Sequence, residues 1–217
     1  MIDLPHLITD LVLPEWEGGY AKGRETRELI LRTALSLLIE SGYPAMSMRR
    51  IAAVSGLSFG NVTYHYPSRE ELVRELLDAV IRSYEVEFDA LVRTPGVVPR
   101  EQLRRYCLLI LEDIRSKKTT RLFPELWALS NHDGFARERV QELYARARAP
   151  LIRIVAEMRP DLTPDSHETI ALFISSAMEG TTPFAGYEKP FRDRMPAIAE
   201  IAIQAFIALV ETYQVPA

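Results

Sequence analysis

From Arg24 onward the chain sets apolar side chains at helical intervals. Ile30, Ala34, Leu37 and Leu38 fall at i, i+4, i+7 and i+8, one face of a helix. Gly42 marks its stop. Ser47 is the expected N-cap of a short helix over 48–54 that buries Ile51 and Ala52. Gly56 then punctuates, and Ser58 caps a second short helix to about His65. Ser68 and Glu71 have capping-box spacing, in which each side chain satisfies a free N–H of the first turn. They predict a third helix from Arg69 to about Arg93, ending before Pro95. Helical patterns also cover about 100–116, 120–131, 135–158, 165–181 and 195–214. Strand-like alternation is nearly absent. The expected fold class is all-α, with a small N-terminal unit and a larger C-terminal bundle. Residues 1–20, with Pro5, Pro14, Gly18 and Gly19, are read as an extension. Its apolar Leu4, Leu7, Ile8, Leu11, Val12 and Leu13 point to packing against the rest of the chain.

Composition narrows the classes. The chain has 217 residues, 47% of them hydrophobic, enough for a sizeable core without staples. With 26% charged residues it is neither collagen-like, mucin-like nor wholly disordered. The single cysteine, Cys107, cannot form an internal disulfide, and its apolar neighbours make it a core residue. No apolar run is read as reaching the roughly 18 residues that span a bilayer. No basic residue precedes Lys22, so no export signal is read, and a cytoplasmic protein without a membrane partner is expected. The net charge is −4 but unevenly spread. Residues 1–20 carry only acidic charges, whereas 21–74 carry eight basic and five acidic side chains, a modestly basic block in an acidic chain.

The spacing over 47–66 is the most informative feature. Two short helices that cross steeply need a small residue at the contact, and Ala52 is one. The tight turn needs a residue tolerant of positive φ, which Gly56 supplies. Ile51, Leu57 and Val62 would form the apolar joint. The second helix would present Phe59, Asn61, Thr63 and Tyr64 outwards, and Ser58 would sit where free N–H groups favour a phosphate. Polar side chains at the start of such a helix reach base edges in the major groove. Spacing alone also fits a helical hairpin of some other all-α protein.

The run Ser47, Ile51-Ala52, Ser55-Gly56-Leu57-Ser58-Phe59-Gly60-Asn61-Val62 and His65-Tyr66-Pro67-Ser68-Arg69-Glu70-Glu71-Leu72 resembles the DNA-binding domain of the TetR family of bacterial transcriptional regulators. The resemblance covers residues 24–72. It implies a three-helix helix-turn-helix DNA-binding domain over 21–72, with the motif at 47–66. An effector-binding and dimerisation domain would follow over 73–217. Ser47, Ser58, His65 and Arg69 would contact phosphates, with Arg49 a further candidate. Phe59, Asn61, Thr63 and Tyr64 would face the groove, and Gly60 would let the backbone approach. Thr63 departs from the family, which usually has an aromatic there; Tyr64 is next to it. Arg69 replaces a lysine and Ser55 an alanine. Tyr66 is expected in the core.

The resemblance also implies a homodimer joined by two C-terminal helices per subunit. Ile170, Phe173, Ile174, Ala177 and Met178 make one stripe. Ile198, Ile201, Ala202, Ala205, Phe206 and Leu209 make another. All but Met178 are assigned to the interface. Candidates for an effector pocket are Tyr84, Phe88, Tyr106, Phe123, Trp127, Phe173 and Met178, with the polar Glu125, Asn131, His132 and Glu179. No catalytic constellation, metal site or cofactor is expected. Glu112 and Asp113 are helix neighbours that point apart, and the four histidines lack metal-ligand spacing. The expected function is that of a homodimeric repressor released from a palindromic operator by an unidentified small-molecule effector. The alternative is a helical ligand- or partner-binding protein that has lost specific DNA readout.

Overall fold

The computed structural model describes residues 11–13, 21–91 and 96–215, without the side chain of Leu91. Among them no strand occurs. The helices are α1 (Ala21–Ser41), α2 (Met48–Ser55), α3 (Phe59–His65), α4 (Arg69–Leu91), α5 (Pro99–Ile114), α6 (Lys117–Ser130), α7 (Gly134–Met158), α8 (Pro164–Glu179), α9 (Thr182–Ala185) and α10 (Met195–Thr212). Short 3-10 turns cover Tyr43–Ala45 and Arg192–Arg194. Each helix expected from periodicity is present with ends shifted by a few residues; α9 and the 3-10 turns carry no apolar repeat long enough to read. The expected end of α4 near Arg93 lies outside the described residues, as does most of the extension. Of that extension, Leu11 is buried and the Val12 N–H donates to Ser83 Oγ at 3.0 Å.

The described chain forms two compact units, and their boundary falls inside α4, α6 and α7. One unit comprises residues 10–83 with 121–143. In it, α1 buries Ile30, Leu31, Ala34, Leu35, Leu37 and Leu38. Gly42 ends the helix at φ 77°, its N–H donating to Leu38 O. Ser47 and Ser58 cap α2 and α3 by accepting the N–H of Arg50 and of Asn61. Between them Gly56 turns in the left-handed region at φ 73°. Ile51, Ala52 and Val62 are buried at the joint, and Leu57 is half-buried. Ser68 Oγ accepts the Glu71 N–H, one arm of the expected capping box.

The other unit takes Tyr84–Thr120 and the chain from Tyr144 onward. Here α10 packs on α5 and α8, and α5 on α8. Arg159 ties the end of α10, donating to the carbonyls of Val210 at 3.0 Å and Tyr213 at 3.1 Å while pairing with Asp161. Cys107 is fully buried, which pushes its thiol up to about 12. The segment Arg192–Thr212 reaches a mean hydropathy of 1.5 and is long and apolar enough to cross a bilayer, contrary to the sequence-based expectation. It owes this composition to two separate demands. Met195, Ala199, Ile203, Phe206, Ile207 and Val210 enter the core, while Ile201, Ala205 and Ala208 stay exposed.

Candidate nucleic-acid interface and interior polar cluster

The first turn of α3 is solvent-facing. Ser58, Gly60 and Asn61 are exposed, Phe59 is 48% exposed and Tyr64 82%. Nothing lies within 4 Å of the Cβ position of Gly60, so the backbone surface there is open. The Arg49 guanidinium stands 5.9 Å from the Phe59 ring centroid, which joins the exposed start of α2 to that of α3. Thr63 is half-buried, and its hydroxyl donates within its own helix to Phe59 O and Gly60 O. Of the adjacent Thr63 and Tyr64, Tyr64 is therefore the side chain that reaches solvent. His65 is half-buried against the Tyr64 ring edge; burial, then the Arg27 charge, hold its pKa below the usual imidazole value. Tyr66 is buried under the Arg27 guanidinium, which pairs with Glu75 at 2.9 Å.

Two residues assigned to separate tasks meet on Tyr43. Glu125 of α6 accepts the Tyr43 N–H at 3.0 Å, and a Cβ on Gly42 would lie 3.2 Å from both of its carboxylate oxygens. Arg69 donates to the Tyr43 carbonyl and lays its guanidinium 3.8 Å from that ring's centroid. The loop that leads to the Ser47 cap is thus clamped from α6 on one side and α4 on the other. Glu125 is engaged in that clamp rather than in a pocket, because the turn after α1 leaves a backbone donor that needs an acceptor.

The bundle unit carries a different kind of site. Phe88 and Tyr106 stack with centroids 4.9 Å apart, and Tyr84 lies 6.3 Å from Phe88. Against this wall Asp113 is 2% exposed. Its Oδ2 accepts from the hydroxyls of Tyr84 and Thr119, each at 2.5 Å, while Oδ1 is buried without a partner. Burial and the Asp113 charge push the Tyr84 phenol well above its ordinary value, so it stays a donor. Burial, then the Asp113 charge, raise the Glu179 carboxyl to about 7, and its Oε2 is also buried without a partner. The Ser175 hydroxyl is buried beside Tyr106 and acts on it as a hydrogen-bond partner, while the Tyr106 hydroxyl donates to Ala147 O. Lys118 holds its ammonium 5.4 Å from the Tyr84 centroid, its pKa lowered by burial against the opposing pull of Asp113.

Of the pocket candidates, Tyr84, Phe88, Tyr106, Met178 and Glu179 fall in this unit. Phe123, Glu125, Trp127, Asn131 and His132 fall in the other, with Asn131 and His132 exposed on the turn after α6. Phe173 is 58% exposed and lines no interior. Asp113, Lys118, Thr119 and Ser175 escaped sequence reasoning. The available signal was Asp113 itself, four residues after Leu109 and seven after Tyr106, on the buried face of α5. The apolar stripes also divide differently from expectation. Ile170, Ile174 and Phe206 are buried within the chain, and Ile198, Ala202 and Leu209 are half-buried. Phe173, Ala177, Ile201 and Ala205 form the outer faces, with Leu172 beside them. A helical stripe wider than one contact is shared between core and surface, and spacing cannot say which edge is which.

Two capped short helices packed on each other around a glycine turn, the second with an exposed face, define a helix-turn-helix unit. Residues 30–76 match the family of bacterial regulatory proteins, tetR family, and residues 99–208 match the C-terminal domain of BetI-type transcriptional repressors. The chain belongs to the TetR family of bacterial regulatory proteins. It is 30% identical over 108 residues to the HTH-type transcriptional regulator AcrR of Shigella flexneri, covering 48% of this chain and 49% of that one. A second relative, the regulator YuxN of Bacillus subtilis, is 30% identical over 97 residues, covering 44% of this chain and 32% of that one. The matches span about half or less of these curated relatives. Among solved structures, a transcriptional regulator from Saccharomonospora viridis in complex with choline superposes with TM-score 0.68 at 18% identity, covering 89% of this chain and 100% of that one. A TetR regulator from Haloarcula marismortui gives 0.67 at 17% identity, covering 87% and 97%. These two likenesses concern the fold.

Proposed function

We propose that the protein is a homodimeric repressor that binds a palindromic operator through α3 and is released from it by a small molecule held in the bundle unit. The carrying observation is the α3 face. Phe59, Asn61 and Tyr64 are exposed together on a helix whose cap, Ser58, also offers a hydroxyl to a phosphate. Ser47, Arg49 and His65 flank that face, Gly60 admits the duplex backbone, and Thr63 adds its methyl group. Arg69 is then a positioning residue that holds the Tyr43 loop, and reaches phosphate with the part of its guanidinium left over. Dimerisation through the outer faces of α8 and α10 would cover Phe173 and Ile201, the latter 67% exposed, and set two recognition helices about 34 Å apart. The protein acts by binding rather than catalysis, in the cytoplasm with the chromosome. The choline complex of the Saccharomonospora regulator supports a small-molecule role for the bundle. Release is linkage: a ligand that favours the wrong spacing of the recognition helices weakens operator binding by the same factor as DNA weakens ligand binding.

The test is selection from a random duplex library at near-physiological salt. An enriched palindrome is the expected result. Retention without enrichment, from folded dimer, would move the reading to a ligand-binding protein that no longer reads DNA. Sedimentation checks the dimer separately: Ile201→Glu should turn a dimer at micromolar concentration into a folded monomer.

A further inference from the structure

Two buried carboxylate oxygens in the bundle unit lack a protein donor: Asp113 Oδ1 and Glu179 Oε2. They come from two helices, α5 and α8, that pack together. Glu179 acts electrostatically on Asp113, Tyr84 and Tyr106, so it shares one site with the aromatic wall. Such atoms are rare in a finished core, because an acceptor taken from water needs a donor in return. The charges are also unbalanced. Lys118 supplies one positive charge at the Tyr84 face, where Asp113 acts on it. Arg148 of α7 acts on Tyr106, but the influences on Glu179 are burial and Asp113. With both carboxyls ionised, the cluster formed by the described residues is one positive charge short.

We propose that Asp113, Ser175 and Glu179, under the ring wall of Tyr84, Phe88 and Tyr106, form a binding site for a small protonated amine bearing an apolar group. The proposal rests on the effector reading above and names its ligand class. The ring wall takes the apolar part and the field of the ammonium. The ammonium N–H groups donate to the two unpartnered carboxylate oxygens and to the Ser175 hydroxyl oxygen, and its charge completes the cluster. A quaternary ammonium satisfies the charge but has no N–H to give. A neutral alcohol can donate but leaves the charge unmet. The site therefore discriminates by the head group, as buried polar sites reject ligands that leave their groups unpaired.

Benzylamine, benzyltrimethylammonium and benzyl alcohol share one apolar part and differ only in the head. Calorimetric titration of the full-length dimer at pH 8 with each is the test. Benzylamine should bind at least about tenfold more tightly than either of the others, a gap of about 1.4 kcal/mol. Glu179→Gln and, independently, Ser175→Ala should each reduce that preference while circular dichroism shows an intact fold. Equal or tighter binding of benzyltrimethylammonium would overturn the proposal in favour of a ring cage without N–H recognition. Tighter binding of benzyl alcohol would overturn it while leaving the bundle a ligand-binding module. Failure of all three to bind overturns the amine assignment too. Operator release is read separately: if a probe binds without weakening DNA binding, the effector reading fails and the amine site stands.

Discussion

The α3 surface and the interior of the bundle treat polar groups in opposite ways. On α3 the groups that would meet a ligand are exposed, and those that shape the helix are satisfied. Ser47 and Ser58 hold backbone N–H groups, and Thr63 bonds back to its own helix. Such a surface loses little by being empty, because water serves it. In the bundle, Asp113 is buried with one oxygen accepting hydrogen bonds from two hydroxyls and the other unmatched. That arrangement costs stability as long as nothing fills it. A surface that reads a polyanion can stand ready in solvent, whereas a site for a small ligand must be enclosed and carries its unpaired groups inside.

The sharpest way to break this contrast is to spoil the outer face without touching the fold. Gly60 has open space around its Cβ position. Gly60→Glu should leave the melting temperature unchanged or slightly raised, since glycine is the poorer helix former by up to about 1 kcal/mol. The added carboxylate would face the duplex phosphates, and operator affinity in a gel-shift titration should fall by more than about 100-fold, or about 2.7 kcal/mol. Unchanged affinity would mean that α3 does not enter the groove.

The interior makes the converse prediction, with a smaller effect that depends on pH. Glu179 has its carboxyl raised to about 7 by burial and by Asp113. The folded state thus holds a proton that the unfolded chain has released above its ordinary value of 4.5. Stability from this group is present below that value and is lost as pH rises through about 7. Glu179→Gln cannot ionise. Relative to the parent it should gain about 2 kcal/mol between acid conditions and pH 8, read by denaturant unfolding at both. A constant difference at the two pH values would show that Glu179 is solvated.

The smallest effect separates cap from contact. Ser58→Ala should cost about 1 kcal/mol by removing the acceptor for the Asn61 N–H. Ser58→Asp keeps the cap and should keep the stability, but it sets a negative charge where a phosphate would lie. Operator binding by the aspartate variant should be weaker than by the alanine variant. The reverse order would make Ser58 a cap alone.

The outer face was legible because it is local. Caps, glycine turns and an exposed helix face are set by residues within one or two turns of each other, and Ser47, Gly56, Ser58 and Tyr64 stand within a single short run. The contacts of Glu125 and Arg69 with Tyr43 were not legible, for the opposite reason. Each was given a ligand or phosphate to hold, yet both meet at Tyr43, which lies far from either in the chain. Glu112 and Asp113 do point apart, with Glu112 pairing to Arg115 at 2.8 Å, while the carboxyl that acts on Asp113 belongs to Glu179 of another helix.

The sequence by itself determined the all-α class, nearly every helix, the helix-turn-helix and the family, because period, caps and turn residues act over a few residues of backbone. Only the tertiary structure decided which edge of the α8 and α10 stripes enters the core. It also decided which polar side chains end up buried together, and that residues 121–143 share a unit with the helix-turn-helix. Those outcomes depend on how each helix is rotated against neighbours distant in sequence. A rotation of one residue's width turns an exposed phenylalanine into a core one, and no local signal specifies it.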